Sequence, residues 1–381
     1  MCRLFEIGKC NEKEYVLLGA IMRADIIRSV EALAGIKKEW NILLEGSISN
    51  SIFLTWEWAY SWAECFINEE REPFVVKVYD DGNRLVGIAP WYTDKIKVGP
   101  ATIRQISFIG TPETASDYLD VFTAKGRERE VSGYLYDYLF EDLSDSWDCI
   151  SLQDTKAESL FLLHLMHKHR LHGRHFEITQ GSFCPIISLP KTEEEFLSRI
   201  SSSRNKRFRQ DLRTLKKTDT VEIKTHVNCG VEEAADSFFK LYAEKTEWEG
   251  KDLYRFMKRF LANSESGNCL QIDFLLANGN TIGGLLHLKH NHTLSLYLMA
   301  VDKMYNPRIS VGNLLVGMCI IRAIENQFEV YDFLKGYEEY KFYWTSEGRT
   351  TQNVFIVQKK ILPILYMMKR MAKYAMKTML R

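Results

Sequence analysis

Hydrophobic positions along the chain change their period several times, and each change marks an element. The segment FLTWEWAYSWAECF (53–66) carries Trp58, Trp62 and Phe66 at i, i+4 and i+8, the aromatic stripe of an amphipathic helix. Next comes PFVVKVYDDGNRLVGIAPWY (73–92), two apolar-rich runs flanking Asp81-Gly82-Asn83. Gly and Asn tolerate the positive φ of a tight turn, so this stretch predicts a β-hairpin. Strands are expected at 103–109 and 118–123, a helix over 127–142, a strand at 147–152 and a helix over 157–171. Two more strands are expected near 175–180 and 184–189. Residues 1–37 read as a leader, and a helix is expected around 26–45, ending near Gly46.

The second half repeats this grammar. LQIDFLLANGNTIGGLLHLK (270–289) predicts a hairpin turning at Asn278-Gly279-Asn280, and DGNRLVG (81–87) aligns with NGNTIGG (278–284). In both halves a strand, a loop and a helix follow (127–142; 312–327), then a short strand, at 147–152 and at 330–335. Asp148 falls over Asp332 in this alignment. A unit that occurs twice predicts a duplicated domain. Antiparallel strands ahead of a single βαβ crossover predict an α+β sheet rather than a doubly wound one. The expected domains are 38–189 and 190–358, with a basic amphipathic helix over 359–381.

Composition narrows the function classes. At roughly 100–200 residues per domain, 381 residues fit two domains, and a 46% hydrophobic share excludes general disorder. Fifty Lys+Arg against fifty Asp+Glu argue against a dedicated nucleic-acid binder. The eight cysteines lie apart, with no CxxC, a spacing that suits reduced thiols. Glu6, Glu12 and Glu14 interrupt any signal-like apolar run, and no 18-residue apolar stretch occurs. A cytoplasmic protein is expected, either free or in peripheral contact with the inner membrane through its tail.

The stretch 297–344 is the richest in candidate chemistry. An apolar strand enters a loop with Pro307, Arg308, Ser310 and Gly312, and a helix begins at once. Ser310 is the expected N-cap. The amides of Val311, Gly312 and Asn313 would then point out of the helix end, where the dipole favours phosphate. Beyond the next strand, Tyr337, Tyr340, Lys341 and Trp344 fall on one face of a short helix at i, i+3, i+4 and i+7. That face reads either as a site wall or as a surface stripe.

The pattern P-x-x-S-x-G-x-L-L (307–315), followed by D-F-L-K-G-x-E-x-Y-K-x-x-W (332–344), resembles the CelD-type branch of the GNAT acyltransferases. These proteins are associated with cellulose and exopolysaccharide gene clusters. TWEWAYSW (55–62), LVGIAPWY (85–92), GTPETASDYLDV (110–121), CPIISL (184–189) and SSSRNKRFRQDLRTL (201–215) agree in order, so the resemblance covers roughly residues 38–358. It implies tandem GNAT-like domains related to the Fem-type transferases, with acyl-CoA (acetyl-CoA) as co-substrate and no metal. The pyrophosphate would rest on Ile309 to Leu315, which makes Arg308, Ser310, Val311, Gly312, Asn313 and Leu314 the cofactor residues. The chain departs from the usual Q/R-x-x-G-x-G/A, because only Gly312 is present. Tyr337 or Tyr340 would give a proton to the departing thiolate, and Glu338 or Asp332 would accept one, with Lys341 beside them. Asp117, Tyr118, Arg204, Arg207 and Trp344 are the expected substrate residues. The implied acceptor is an amine or hydroxyl of a small molecule or glycan.

Three constellations stay open. His164, His167, His169, His172 and His175 crowd one helix end, where a basic terminus competes with a metal site. The basic run 201–217 would meet RNA, the phosphates of coenzyme A or an anionic substrate, or water. Nucleic acid enters only through a Fem-like alternative that takes aminoacyl-tRNA. The tail 359–381 has seven Lys/Arg and no acid, and it would either pack on the body or lie on an anionic membrane. A non-catalytic accessory protein of a polysaccharide synthase is the alternative outside enzymology.

Overall fold

The computed structural model describes residues 22–172, 176–228, 230–246, 250–264 and 268–379. The expected leader lies outside the described residues up to position 21. From Arg23 the chain is already sheet, where a helix was expected over 26–45. Strand β1 (Arg23–Ile27) alternates exposed and half-buried positions and pairs antiparallel with β2 (Arg71–Tyr79). Helices α1 (Val30–Ala34) and α2 (Lys37–Glu45) follow as separate pieces. Ser29 starts the first by accepting from the Ala32 amide at 3.1 Å, and Gly35 ends it.

Helix α3 (Trp56–Phe66) buries the expected aromatic stripe. The first hairpin joins β2 to β3 (Leu85–Val98), with Asn83 at φ 58° in its turn. β4 (Ala101–Phe108) pairs with β3, but the strand expected at 118–123 shrinks to β5 (Phe122–Thr123). Helix α4 (Glu128–Asp137) ends in a π-helical turn, Tyr138–Asp142. β6 (Cys149–Lys156) and α5 (Leu160–Leu171) close the first half. The two strands expected between 175 and 189 are one, β7 (Phe176–Ser188). Its Gly181 lets Thr351 of a neighbouring strand lie where a Cβ would be.

Helices α6 (Glu193–Arg199) and α7 (Ser202–Thr218) lead into the second half. There β8 (Val221–Val227), α8 (Val231–Thr246), α9 (Lys251–Asn263), β9 (Leu270–Ala277), β10 (Asn280–His290) and β11 (Thr293–Val301) repeat the antiparallel order. Asn278 and Gly279, at φ 51° and 80°, turn the hairpin as expected. Then come α10 (Val311–Glu325), β12 (Val330–Asp332), α11 (Glu339–Trp344), β13 (Gly348–Val357) and α12 (Ile361–Met379).

The described strands form one sheet in the order β1-β2-β3-β4-β6-β13-β7-β12-β11-β10-β9-β8, with β5 beside β3. The order is palindromic in role, because each half has four antiparallel strands and then one parallel pair, β4 with β6 and β11 with β12. The middle is exchanged. β13 from the chain's end pairs with β6, and β7 from the first half pairs with β12. β7 and β13 also pair with each other, so the halves share one sheet. α3 and α9 pack across the junction, with Trp58 edge-on to Phe256 and Phe260 at 4.7 and 5.0 Å. One apolar core runs through both halves on that face, and a second lies under α10. The fold is α+β, a mixed sheet flanked by helices.

Candidate active site

Two parallel strands that start together and then part create a gap with backbone groups on its walls. β11 and β12 pair only at Thr293–Val330, Leu294–Tyr331 and Ser295–Asp332. Beyond that rung β11 runs on to Val301, while the segment after β12 turns away through Leu334 (φ 55°) and Gly336 (φ 132°). A Cβ at Gly336 would collide with Glu338 and lie 2.8 Å from Lys341 Nζ, so the turn needs glycine. On its other edge β11 bulges at Tyr297, because Leu286 faces Leu298 while His287 faces Leu296.

The helix after β11 starts at the mouth of this gap. Ser310 caps α10 by accepting from the Asn313 amide at 3.5 Å, and the first turn holds no acid. Val311 and Leu314 bury their side chains in the second core and offer the outside only backbone. Gly312 sits over β11, where an added Cβ would meet Met299 Sδ at 3.4 Å. The Ser310 amide donates to Asp211 Oδ2 at 3.2 Å, and Arg207 Nε pairs with Asp211 Oδ1 at 2.9 Å. Arg207 also donates to the Arg308 carbonyl at 2.5 Å, and Arg204 to the Tyr343 carbonyl at 3.0 Å. Of the two arginines expected at substrate, Arg207 thus binds backbone beside the helix start, and Arg204 binds backbone at the end of α11. The first turn of α10 itself carries no acid, and the one carboxylate at its cap, Asp211, is paired with Arg207, so the free amides of the turn suit a phosphate-bearing ligand.

The other wall comes from the first half. Gly110, Ala115 and Tyr118 take positive φ, so residues 110–121 run as a loop, and the strand expected from 118 starts only at Phe122. Trp58 Nε1 holds it by donating to Ser116 Oγ at 2.9 Å, and Tyr297 donates to the Thr114 carbonyl at 2.7 Å. Tyr118, 214 residues from Asp332, donates its hydroxyl to Asp332 Oδ2 at 2.9 Å. The Leu334 amide supplies Asp332 Oδ1 at 2.8 Å. Asp117 accepts from the Lys335 amide at 2.9 Å, and the Lys335 ammonium lies 3.3 Å from Asp117 and 2.6 Å from Asp154.

Burial dominates the electrostatics here. It pushes the Asp117 carboxyl up to about 7 against the pull of Lys335. It pushes Asp332 up to about 6 against its bonds from Leu334 and Tyr118. His290 is driven down to about 4 by burial, so its imidazole is neutral at pH 7. Burial also raises the Tyr340 hydroxyl, which stays protonated. A pocket of about 80 Å³ opens at the seam of the halves, lined by Tyr118, His290, Ser295, Asp332 and Arg349 among others.

The expected site residues divide into groups. Asp332, Asp117 and Tyr118 meet in this network. Tyr340 is half-buried beside Phe333, with ring centroids 6.3 Å apart. Lys341 is buried and clamps the turn, donating to the Lys335 carbonyl at 2.7 Å and pairing with Glu338 at 2.9 Å. Tyr337 precedes α11 and is 67% exposed, so the one-face pattern does not hold. Trp344, expected at substrate, is packed between Phe196, Phe208 and Gly317 in the second core. Lys335, Asp154, Tyr297 and Arg349 were not singled out in the sequence. Lys335 stands in the quoted D-F-L-K-G pattern; the others carry no local signal. Among the described residues no cluster of three His, Cys, Asp or Glu could hold a metal, and His175 lies outside them.

Residues 202–342, from α7 into α11, match the family model of the acetyltransferase (GNAT) domain. The second half is a GNAT-type acetyltransferase domain. Its parted strands are β11 and β12, and the helix at their mouth is α10. GNAT domains use acyl-CoA, and residues 202–342 form a domain of that acyltransferase type. Among solved structures, a conserved protein of unknown function from Bacteroides thetaiotaomicron is similar at 11% identity and TM-score 0.54, over 88% of this chain and 100% of that one. FemX is similar at 10% identity and TM-score 0.56, over 84% of this chain and 96% of its own. A tandem GNAT protein from the clavulanic acid biosynthesis pathway aligns over 88% of this chain and 98% of its own, at 9% identity and TM-score 0.45. The first two likenesses span both halves and show a shared fold. No curated protein matches the sequence.

Proposed function

We propose that the chain moves an acyl group from acyl-coenzyme A, most simply acetyl-CoA, to an amine or hydroxyl of a sugar, glycolipid or related envelope or exopolysaccharide precursor. The observation that carries the transfer is the last parallel rung. Asp332, buried and raised to about 6, stands where β11 and β12 part and borders the seam pocket on the other side. A thioester lying in the gap and an acceptor entering from the pocket would meet beside this carboxylate. As the acceptor attacks the carbonyl it loses a proton, and ionised Asp332 is the group to take it. The carbon–sulfur bond then breaks, and the thiolate needs a proton, for which Tyr340 is the candidate. The sugar-type acceptor rests on the CelD-type resemblance alone.

Calorimetry with coenzyme A tests the donor: absence of binding at millimolar concentration sinks the acyl-CoA reading. Asp332→Asn should keep that binding and lose turnover, and mass spectrometry of small molecules from a deletion strain would identify the acceptor. Aminoacyl transfer from tRNA is the rival reading, supported by the fold shared with FemX and by the basic helix α7. A tRNA mobility shift that Arg209→Ala/Arg213→Ala abolishes, with no binding of coenzyme A, would favour it.

A further inference from the structure

The last helix has one docked face and one bare face. Leu362, Tyr366 and Met367 of α12 pack with Ile103, Cys149 and Phe355 in a small separate core, with Tyr366 and Phe355 ring centroids 6.1 Å apart. Arg370 lies over the Phe355 ring at 4.6 Å, and Lys360 stands 3.6 Å from Asp145 and 3.8 Å from Asp148. These contacts fix the helix and set which side faces out. Ile361, Ile364, Leu365 and Met368, at i, i+3, i+4 and i+7, are 81, 38, 52 and 59% exposed. They are four of the ten large apolar side chains exposed among the described residues, gathered on two turns of one helix. Scattered exposed apolar groups need no explanation, but a contiguous stripe on an anchored helix does.

Charge selects the occupant. The segment 359–381 carries seven Lys/Arg and no Asp or Glu, and Lys359 and Lys369 are exposed beside the stripe. A second copy of the chain would bring the same positive charge against itself. Acyl chains for the stripe and phosphate headgroups for the cations are both present at the surface of an anionic bilayer. We propose that α12 seats the enzyme on an anionic membrane, lying in the plane of the interface. Among the described residues no helix is long and apolar enough to cross a membrane. The proposal is independent of the acyl acceptor.

Co-sedimentation of the full chain with vesicles of phosphatidylcholine and phosphatidylglycerol, against phosphatidylcholine alone, tests it. Binding is expected on the mixed vesicles only. Lys359→Gln and Lys369→Gln should each weaken it roughly fivefold. Leu365→Glu/Met368→Glu should weaken it by more than about tenfold. All four side chains are exposed, so an unchanged circular dichroism spectrum and Tm should show the fold kept. Equal binding to neutral vesicles, or full binding by Leu365→Glu/Met368→Glu, overturns the proposal. So does a dimer in sedimentation velocity that these substitutions dissolve while no vesicle is bound.

Discussion

The two halves share one topology but treat the gap between their parallel strands in opposite ways. In the first half, β4 and β6 pair at Gln105–Cys149 and Ile106–Ile150 and then part. Leu119 fills the space beyond: its amide donates to the Asp154 carbonyl, and its carbonyl accepts from the Lys156 amide, both at 3.0 Å. In the second half no strand among the described residues fills the same space beside β11, and the loop that closed the first gap forms its wall. The last rungs differ accordingly, Ile106–Ile150 in one half and Ser295–Asp332 in the other. By these rungs Ile150, and not the Asp148 of the sequence alignment, stands opposite Asp332. The helix ends differ as well. α4 opens with Glu128 and Glu130 and has no side-chain cap, whereas α10 is capped by Ser310 with no acid in its first turn. One half leaves its gap open, and the other fills its own and walls the first.

The sharpest way to break this comparison is at the last rung. Asp332→Asn should lower turnover ~10²–10⁴-fold with coenzyme A affinity kept, the range for loss of a general base. Steady-state rates and calorimetry check both parts, and unchanged turnover would return Asp332 to the status of Ile150. In the wild type kcat/KM should climb with pH through about 6 as Asp332 ionises, and that limb should vanish in the variant.

Lys335 joins the halves, so its removal tests whether the first half supports the second. Lys335→Met leaves Asp117 and Asp154 without their cation and should cost about 3–5 kcal/mol by denaturant unfolding. Lys335→Met/Asp117→Asn should recover part of that loss. At the helix ends, Gly312→Asp should weaken coenzyme A binding by ~1 kcal/mol through charge at the dipole's positive end. Glu128→Gln on α4 should leave the affinity where it is. Equal effects would mean that the two junctions are not distinct.

A last test concerns pH and stability. Burial raises Asp117 and Asp332 from 3.8 to about 7 and about 6, so the folded chain holds protons that the unfolded chain has released. Their contribution should therefore fall as pH rises from about 4 to about 7 and level off above that. Denaturant midpoints across this window check the slope, and Asp332→Asn should make it shallower while the Asp117 part stays.

Legibility in the sequence followed range. The two Gly/Asn hairpin turns, the aromatic stripe of α3 and the Ser310 cap are decided within one or two turns of chain, and the structure keeps them. Asp332 and Tyr118 could be named as separate residues, yet nothing local says that they touch. Tyr337 and Trp344 shared a helical spacing, but α11 begins only at Glu339, and Trp344 turns into the space left by Gly317. Lys335 lay inside the quoted motif, but its partners sit on another half and give no periodic trace.

The sequence by itself determined a duplicated α+β unit with two turn-defined hairpins and a capped helix after the fourth strand of the second copy. Those features follow from period, turn chemistry and capping, which act over a few residues. Tertiary structure alone decided that β7 and β13 would trade places, that residues 110–121 would wall the other half's gap, and that Asp332 would lose its water. Each of these depends on pairing and burial between segments far apart in the chain, where the partner's position, and not the residue's neighbours, sets the energy.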